Sequence, residues 1–261
     1  MGKYIKAIIL LFCLLFATNA GSVSPVILHG VSGGSGSPAD YSDILLWDRM
    51  EAAAQNGTYD YPGDTTWQLG STTMAAGGRV NNGLIAPDSG SNGDDWAREP
   101  IVNNDLASST EGTIYVEFKL TNWVNNAKFF AVLDESSGYS IHLQASGTDE
   151  IQLGWVESGL SDAVTTTDCN LSTGTWYLAE VNYQASSNYR KIAVYNTSGS
   201  EICSTTDSST AISGFTIDAG WVYMGNPDTT AQFVFALDNA RISNIYNRNF
   251  VTLRDIDDYP G

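Results

Sequence analysis

Cations are scarce in this chain. Its 261 residues carry 12 Lys and Arg against 29 Asp and Glu, a net charge of −17. A surface of that sign repels phosphate backbones and anionic headgroups, which argues against nucleic acid or a membrane surface as partner. It favours cations, calcium above all, because carboxylates and carbonyls are calcium's ligands. The same acidity also serves plain solubility. Histidine is rarer still: His29 and His142 are the only two, too few for a histidine-rich zinc site. The one G-x-S-x-G string, Gly30 to Gly34, lies in a Gly/Ser tract and is no strand-to-helix elbow to support His142 as the base of a triad, and neither a phosphate-cradling G-x-x-x-x-G-K-[ST] loop nor a Rossmann fingerprint occurs. Beyond the N-terminus no apolar run is long enough to span a bilayer.

What is present begins with an export signal. Lys3 and Lys6 precede a short apolar run from Ile8 to Phe16, and Thr18 and Ala20 put small residues before a cut at Gly21. Residues 1–20 are therefore expected to leave, taking Cys13 with them. The mature protein is expected to be secreted, extracellular or periplasmic, with a charge of about −19 from ten basic and 29 acidic residues. In an oxidising compartment the remaining Cys169 and Cys203 are expected to pair. That disulfide closes a loop worth about 3 to 4 kcal/mol by chain entropy. Asn56, Asn170 and Asn196 head N-x-[ST] sequons, which matter only in a host that glycosylates.

Residues 21–42 include GVSGGSGSPAD, a Gly/Ser/Pro tract expected to be a flexible leader. Residues 43–261 are expected to form a single domain. The stretch YSDILLWDRMEAAAQNG reads two ways. Asp43 caps a potential helix with Leu46, Met50, Ala53 and Ala54 at helical spacing, while Ile44 to Trp47 also suits a buried strand. Further on, helical periodicity nearly vanishes and turn dipeptides punctuate runs rich in Val, Ile, Tyr, Phe and Trp. Eight such runs stand out, at 113–120, 128–133, 139–145, 150–156, 175–183, 190–196, 220–226 and 232–243. In the first, Ile114, Val116, Phe118 and Leu120 share one face, and Tyr115, Glu117 and Lys119 share a wetter one. Strands at that spacing predict an all-β fold, a sandwich or jelly roll.

TGTWYLAEVNYQASSNYRKIAVYNTSGSEI resembles the central hairpin of laminin G-like domains, with Tyr195 to Gly199 as its turn. YMGNPDTTAQFVFALDNARISN is similar to the closing pattern of that family, and EGTIYVEFKL to one of its strands. ILLWDRME with YDYPGDTT resembles its opening strand and turn. The resemblance spans roughly residues 41 to 250. It implies a concanavalin A-like jelly-roll β-sandwich of two antiparallel sheets, and a strand over 43–50. The family often holds a structural calcium where opening turn meets closing strand, which by resemblance nominates Asp238 with Asp60 or Asp64.

Catalytic patterns are thin. The E-x-D-x-x-E pair of laminarinase-type hydrolases is absent, leaving Glu117 and Glu180 as isolated strand glutamates, a position usually solvated. Alginate lyases offer a closer likeness through His142 in Ser140-Ile141-His142 and through Tyr189, Lys191 and Tyr195. Their carboxylate-neutralising Arg-Xaa-Glu-Leu-Arg strand is missing here. For ligand contact, Trp67, Trp96, Trp123, Trp155, Trp176 and Trp221 each offer a face for a sugar ring. Trp96, in the acidic stretch DSGSNGDDWAREP, is the best exposed platform, and Trp176 suits the core. The expected role is secreted, non-catalytic recognition of carbohydrate or of an extracellular protein. A polysaccharide-degrading enzyme and a structural assembly protein are the alternatives, since fold alone does not separate them.

Overall fold

The computed structural model describes residues 44–48, 50, 60–61, 68–70, 72–79, 82–86, 96–100, 110–134, 138–147, 149–213, 220–225 and 234–248. The expected signal and leader, His29, Asn56, Asp64 and Trp67 lie outside them. Among the described residues the only helical element is one 3-10 turn, Ala185–Ser187.

The strands are β1 (Ile44–Asp48), β2 (Asp60–Tyr61), β3 (Gln68–Leu69), β4 (Thr73–Ala76), β5 (Asn82–Ile85), β6 (Trp96–Pro100), β7 (Glu111–Leu120) and β8 (Lys128–Asp134). They continue as β9 (Ser140–Ser146), β10 (Glu150–Glu157), β11 (Leu160–Thr165), β12 (Tyr177–Gln184), β13 (Tyr189–Asn196), β14 (Glu201–Asp207), β15 (Gly220–Gly225) and β16 (Phe235–Ser243). The chain is an all-β sandwich of two antiparallel sheets. One runs β14-β13-β12-β7-β16-β1-β2, with β5 on β16 and β4 on β5; the other runs β11-β10-β9-β8-β15-β6-β3. All eight runs read from the sequence are strands, with ends shifted by up to three residues. Of the two readings for 43–50, the strand holds: β1 lies along β16, Trp47 opposite Arg241. There Leu46 packs into the core while Asp48 is buried and accepts the Met50 amide hydrogen.

Alternation explains how the layers close. Ile114, Val116, Phe118 and Leu120 of β7 point inward with Ala179 and Val181 of β12. They meet Phe130 and Val132 of β8, Ile141 and Leu143 of β9, and Ile151, Leu153 and Trp155 of β10. The Phe118 and Phe129 rings stack at 4.8 Å, and Trp155 meets Tyr183 edge-on at 5.1 Å. Burying such rings is worth about 1.5 to 3 kcal/mol each, so these contacts hold the layers together. Two fasteners close one end of the sandwich. Cys169 and Cys203 form a disulfide, Cα atoms 5.2 Å apart. Fully buried Arg190 on β13 donates to Asp162 across the sandwich on β11 at 2.6 Å and to Asp207 on β14.

One expectation needs correcting. The second face of β7 is not wet, because Tyr115 and Glu117 are fully buried. Glu117 accepts hydrogen bonds from the Tyr115 hydroxyl at 2.8 Å, from Asn239 at 3.3 Å and from both arms of the Arg79 guanidinium. A charge-neutralised network, not solvent, satisfies that glutamate.

Candidate binding face

Register places the candidate catalytic residues on different surfaces. Glu117, Glu180 and Tyr195 share the outward side of the nine-stranded sheet, since Glu117 lies opposite Leu178, Leu178 opposite Tyr195, and Glu180 opposite Tyr115. His142 alternates with core residues Ile141 and Leu143, so it faces outward from the other sheet. His142 and Tyr195 thus sit on opposite sides of the sandwich and form no shared proton relay.

The glutamates are not solvated either. Glu117 is fully enclosed, and Glu180 is 6 % exposed with Asn182 donating to one oxygen at 2.9 Å. Its other oxygen has no partner. Burial holds the Glu180 carboxyl above the usual carboxylate range. Tyr195 is likewise pushed up by burial, then by the Glu180 and Glu201 charges. A sugar bond cannot reach Glu117 in this arrangement, so the two carboxylates do not present a hydrolase pair to solvent.

The metal candidates are only partly within the described residues. The Asp238 carboxylate accepts the Arg79 backbone N–H at 2.8 Å and lies beside the Arg79 guanidinium, a fixed cation already occupying that neighbourhood. Asp60 pairs with Asp48 through the backbone. Among the described residues no three His, Cys, Asp or Glu side chains gather around one point.

The open chemistry lies on the seven-stranded sheet. Ala97 of β6 faces the core, so Trp96 and Arg98 face out, and pairing sets Arg98 opposite Tyr223 and Gly225 opposite Trp96. The Arg98 guanidinium sits 4.2 Å from the Trp221 ring centre, 5.5 Å from Trp96 and 5.8 Å from Tyr223. It also donates to the Tyr223 hydroxyl at 2.8 Å and to Gln68 at 2.9 Å. Each cation–π contact contributes about 0.5 to 1 kcal/mol at such exposure, which fixes the rings as a rigid group. Trp96 and Trp221 remain half-buried, so each keeps an accessible surface.

Along the same face the His142 imidazole lies over Gly154, its cross-strand partner. A Cβ at Gly154 would stand 2.0 Å from His142 Nε2, so only glycine admits the ring there. The Ser140 hydroxyl is 3.2 Å from Nδ1. Beside it the side chains of Asn126, Gln144, Gln152 and Thr165 form a hydrogen-bonded chain across the strands. A cavity of about 390 Å³ opens here, lined by His142, Gln144, Gln152, Gly154, Ser161 and Ala163 among others.

Of the other tryptophans, Trp155 is fully buried in the core and offers no platform. Trp123 is half-buried, its indole N–H 3.3 Å from the Ser146 carbonyl. Trp176, expected in the core, is half-buried beneath the Lys119 ammonium at 5.1 Å. Sequence reading nominated Trp96 but not the residues gathered around it. The alternation in WAREP and GWVYMGN puts Trp96, Arg98, Trp221 and Tyr223 outward, yet only the β6–β15 pairing makes them neighbours.

No protein-family model matches the chain, and no curated protein matches it by sequence. Solved structures do match in fold. The binding domain of botulinum neurotoxin serotype D superposes with a TM-score of 0.58 at 13% identity, covering 80% of this chain and 50% of that one. The binding domain of Paraclostridial Mosquitocidal Protein 1 gives 0.59 at 12%, covering 81% and 51%. A serotype D ligand-binding domain solved with N-acetylneuraminic acid gives 0.57 at 13%, covering 80% and 49%. The chain spans about half the length of these structures, and the likeness is one of fold.

Proposed function

We propose that this chain is a carbohydrate-recognition module that binds through the outward face of its seven-stranded sheet. The observation that carries the reading is the aromatic group of Trp96, Trp221 and Tyr223 fixed around Arg98, on the same sheet face as a hydrogen-bonded row of glutamine side chains. Indole faces suit the apolar faces of sugar rings, and amides serve as donors and acceptors for hydroxyls. A laminin G-like, concanavalin A-like lineage and an extracellular location agree with the sandwich and with the disulfide. The fold neighbours include a toxin domain solved with a sialic acid, which agrees with a recognition role. The test is a glycan array probed with the intact protein and with Trp221→Ala. Retention of a defined glycan set by the first, lost in the second, supports the face; identical patterns from both overturn it. Repeating the array with chelator reads whether recognition depends on calcium through Asp238, Asp60 and Asp64.

A further inference from the structure

We infer that the ligand is a long, neutral glycan chain laid across the strands, gripped at the aromatic group and again at the far edge of the sheet. This rests on the carbohydrate reading above and adds length, direction and charge to it.

Register supplies the path. Arg98, Tyr223, Ala131, His142, Gly154 and Ala163 follow one another on six adjacent strands, all on the outward face. Five strand spacings make that row about 24 Å long. Its middle carries small side chains: Ala131 is buried and Gly154 has no side chain, with the His142 imidazole over it. A single terminal sugar cannot touch both ends of such a row, whereas an extended chain can.

The path also continues beyond the sheet. A second cavity of about 330 Å³ adjoins the first, sharing Asp162 and Ala163, and lies between the edge strands β11 and β14 of the two sheets. Thr165, Thr205, Thr206, Ser209 and Thr210 line it with hydroxyls. Two hydroxyl- and amide-lined cavities joined over one exposed alanine form a continuous groove that turns the corner of the sandwich.

Charge selects the chain. Along the described groove the ionised groups are committed: Arg98 to the rings, Tyr223 and Gln68, and Asp162 and Asp207 to Arg190. The protein as a whole carries −17. A polyuronate therefore meets the net negative charge of the protein, which the Arg98 guanidinium offsets only at the aromatic end, and a neutral polymer does not.

The experiment is calorimetric titration of the intact protein with oligosaccharide ladders, disaccharide to octasaccharide, of the cello-, laminari-, manno- and xylo- series, with oligogalacturonates as the charged arm. The inference predicts that one neutral series tightens at least tenfold with length, that Ala163→Tyr at the exposed corner flattens the gain, and that oligogalacturonates bind at least tenfold more weakly. Binding that saturates at the disaccharide, or an unchanged ladder in Ala163→Tyr, overturns the long-chain inference while leaving the aromatic face in place. Preference for the uronates overturns the charge argument. Silence from every ladder and from the glycan array together overturns the carbohydrate reading itself.

Discussion

Substituting Gly154 with alanine isolates the floor of the groove. The new Cβ would stand 2.0 Å from Nε2, 2.3 Å from Cε1 and 2.7 Å from Cδ2 of His142. Atoms in ordinary contact sit about 3.5 Å apart, so the imidazole must shift by about 1.5 Å. It is tethered at its own Cβ and only half-buried, so its easy direction is upward into the groove. The folding cost is small. Losing the ring's packing and its contact with Ser140 costs about 1 kcal/mol, and removing a glycine from mid-strand returns about 0.5 to 1 kcal/mol. Gly154→Ala should therefore leave stability within about 1 kcal/mol of the parent by chemical denaturation. Affinity for the glycan retained best on the array should fall about tenfold or more, roughly 1.4 kcal/mol, because the ring now occupies ligand space. The double variant Gly154→Ala, His142→Ala has room for the methyl group and should recover most of that loss. Refutation takes either of two forms: unchanged affinity in Gly154→Ala, or a double variant as weak as the single one. Either result places ligand elsewhere than on this floor.

Three further outcomes follow from the fasteners and the buried acid. Replacing Cys169 and Cys203 together with alanine should lower stability by about 3 to 4 kcal/mol, the chain entropy of a loop with its ends 34 residues apart, measured by denaturant titration. Arg190→Met leaves two carboxylates facing one end of the sandwich without their shared cation. A loss of about 2 to 4 kcal/mol is expected at neutral pH, and a loss under 1 kcal/mol would refute the clamp. That loss should shrink in acid. The Arg190 hydrogen bond lowers Asp162, and the Ser209 hydroxyl and amide together with Arg190 lower Asp207, so their stabilisation is present above the ordinary aspartate range and lost as pH falls from that range toward the lowered folded values. Glu180 runs the other way. Burial raises its folded value, so the native state holds the proton longer than the unfolded chain, and stability declines as pH rises from the ordinary glutamate range. Glu180→Gln should flatten that decline and raise stability at neutral pH; a parallel curve refutes the assignment.

How much of this was legible in the sequence depends on range. Alternation is local, so Ile114, Val116, Phe118 and Leu120 announce their shared face without knowledge of any partner, and β7 follows. β11 and β14 escaped notice because LSDAVT and EICSTTD are rich in Ser, Thr and Asp, residues that also signal loops. They are the outermost strands of the two sheets, where one side pairs with nothing and polar residues carry little penalty. Those same two strands form the corner of the groove, so the edge that sequence patterns read least well is the one that extends the site.

The site itself was less legible than the fold, for a physical reason visible at Glu117. Nothing local distinguishes a solvated strand glutamate from a buried one. The difference is made by Arg79, 38 residues earlier, and Asn239, 122 residues later, both brought to it only by the folded chain. The same holds for Trp96, whose companions Trp221 and Tyr223 arrive by pairing of β6 with β15. These two cases also separate the two outward faces of the sandwich. Around β7 and β16 the nine-stranded sheet spends its outward polar groups on one another: Thr113 and Asn182 receive the backbone of Asn247 and Arg248, and Glu117 receives Arg79. Those groups are buried as well as bonded, which keeps them from a ligand. Across the seven-stranded sheet the fixed group is a cation caged in rings, which leaves aromatic surface exposed. The part of a sandwich free to bind is the part whose aromatic and polar groups the fold leaves in reach of solvent.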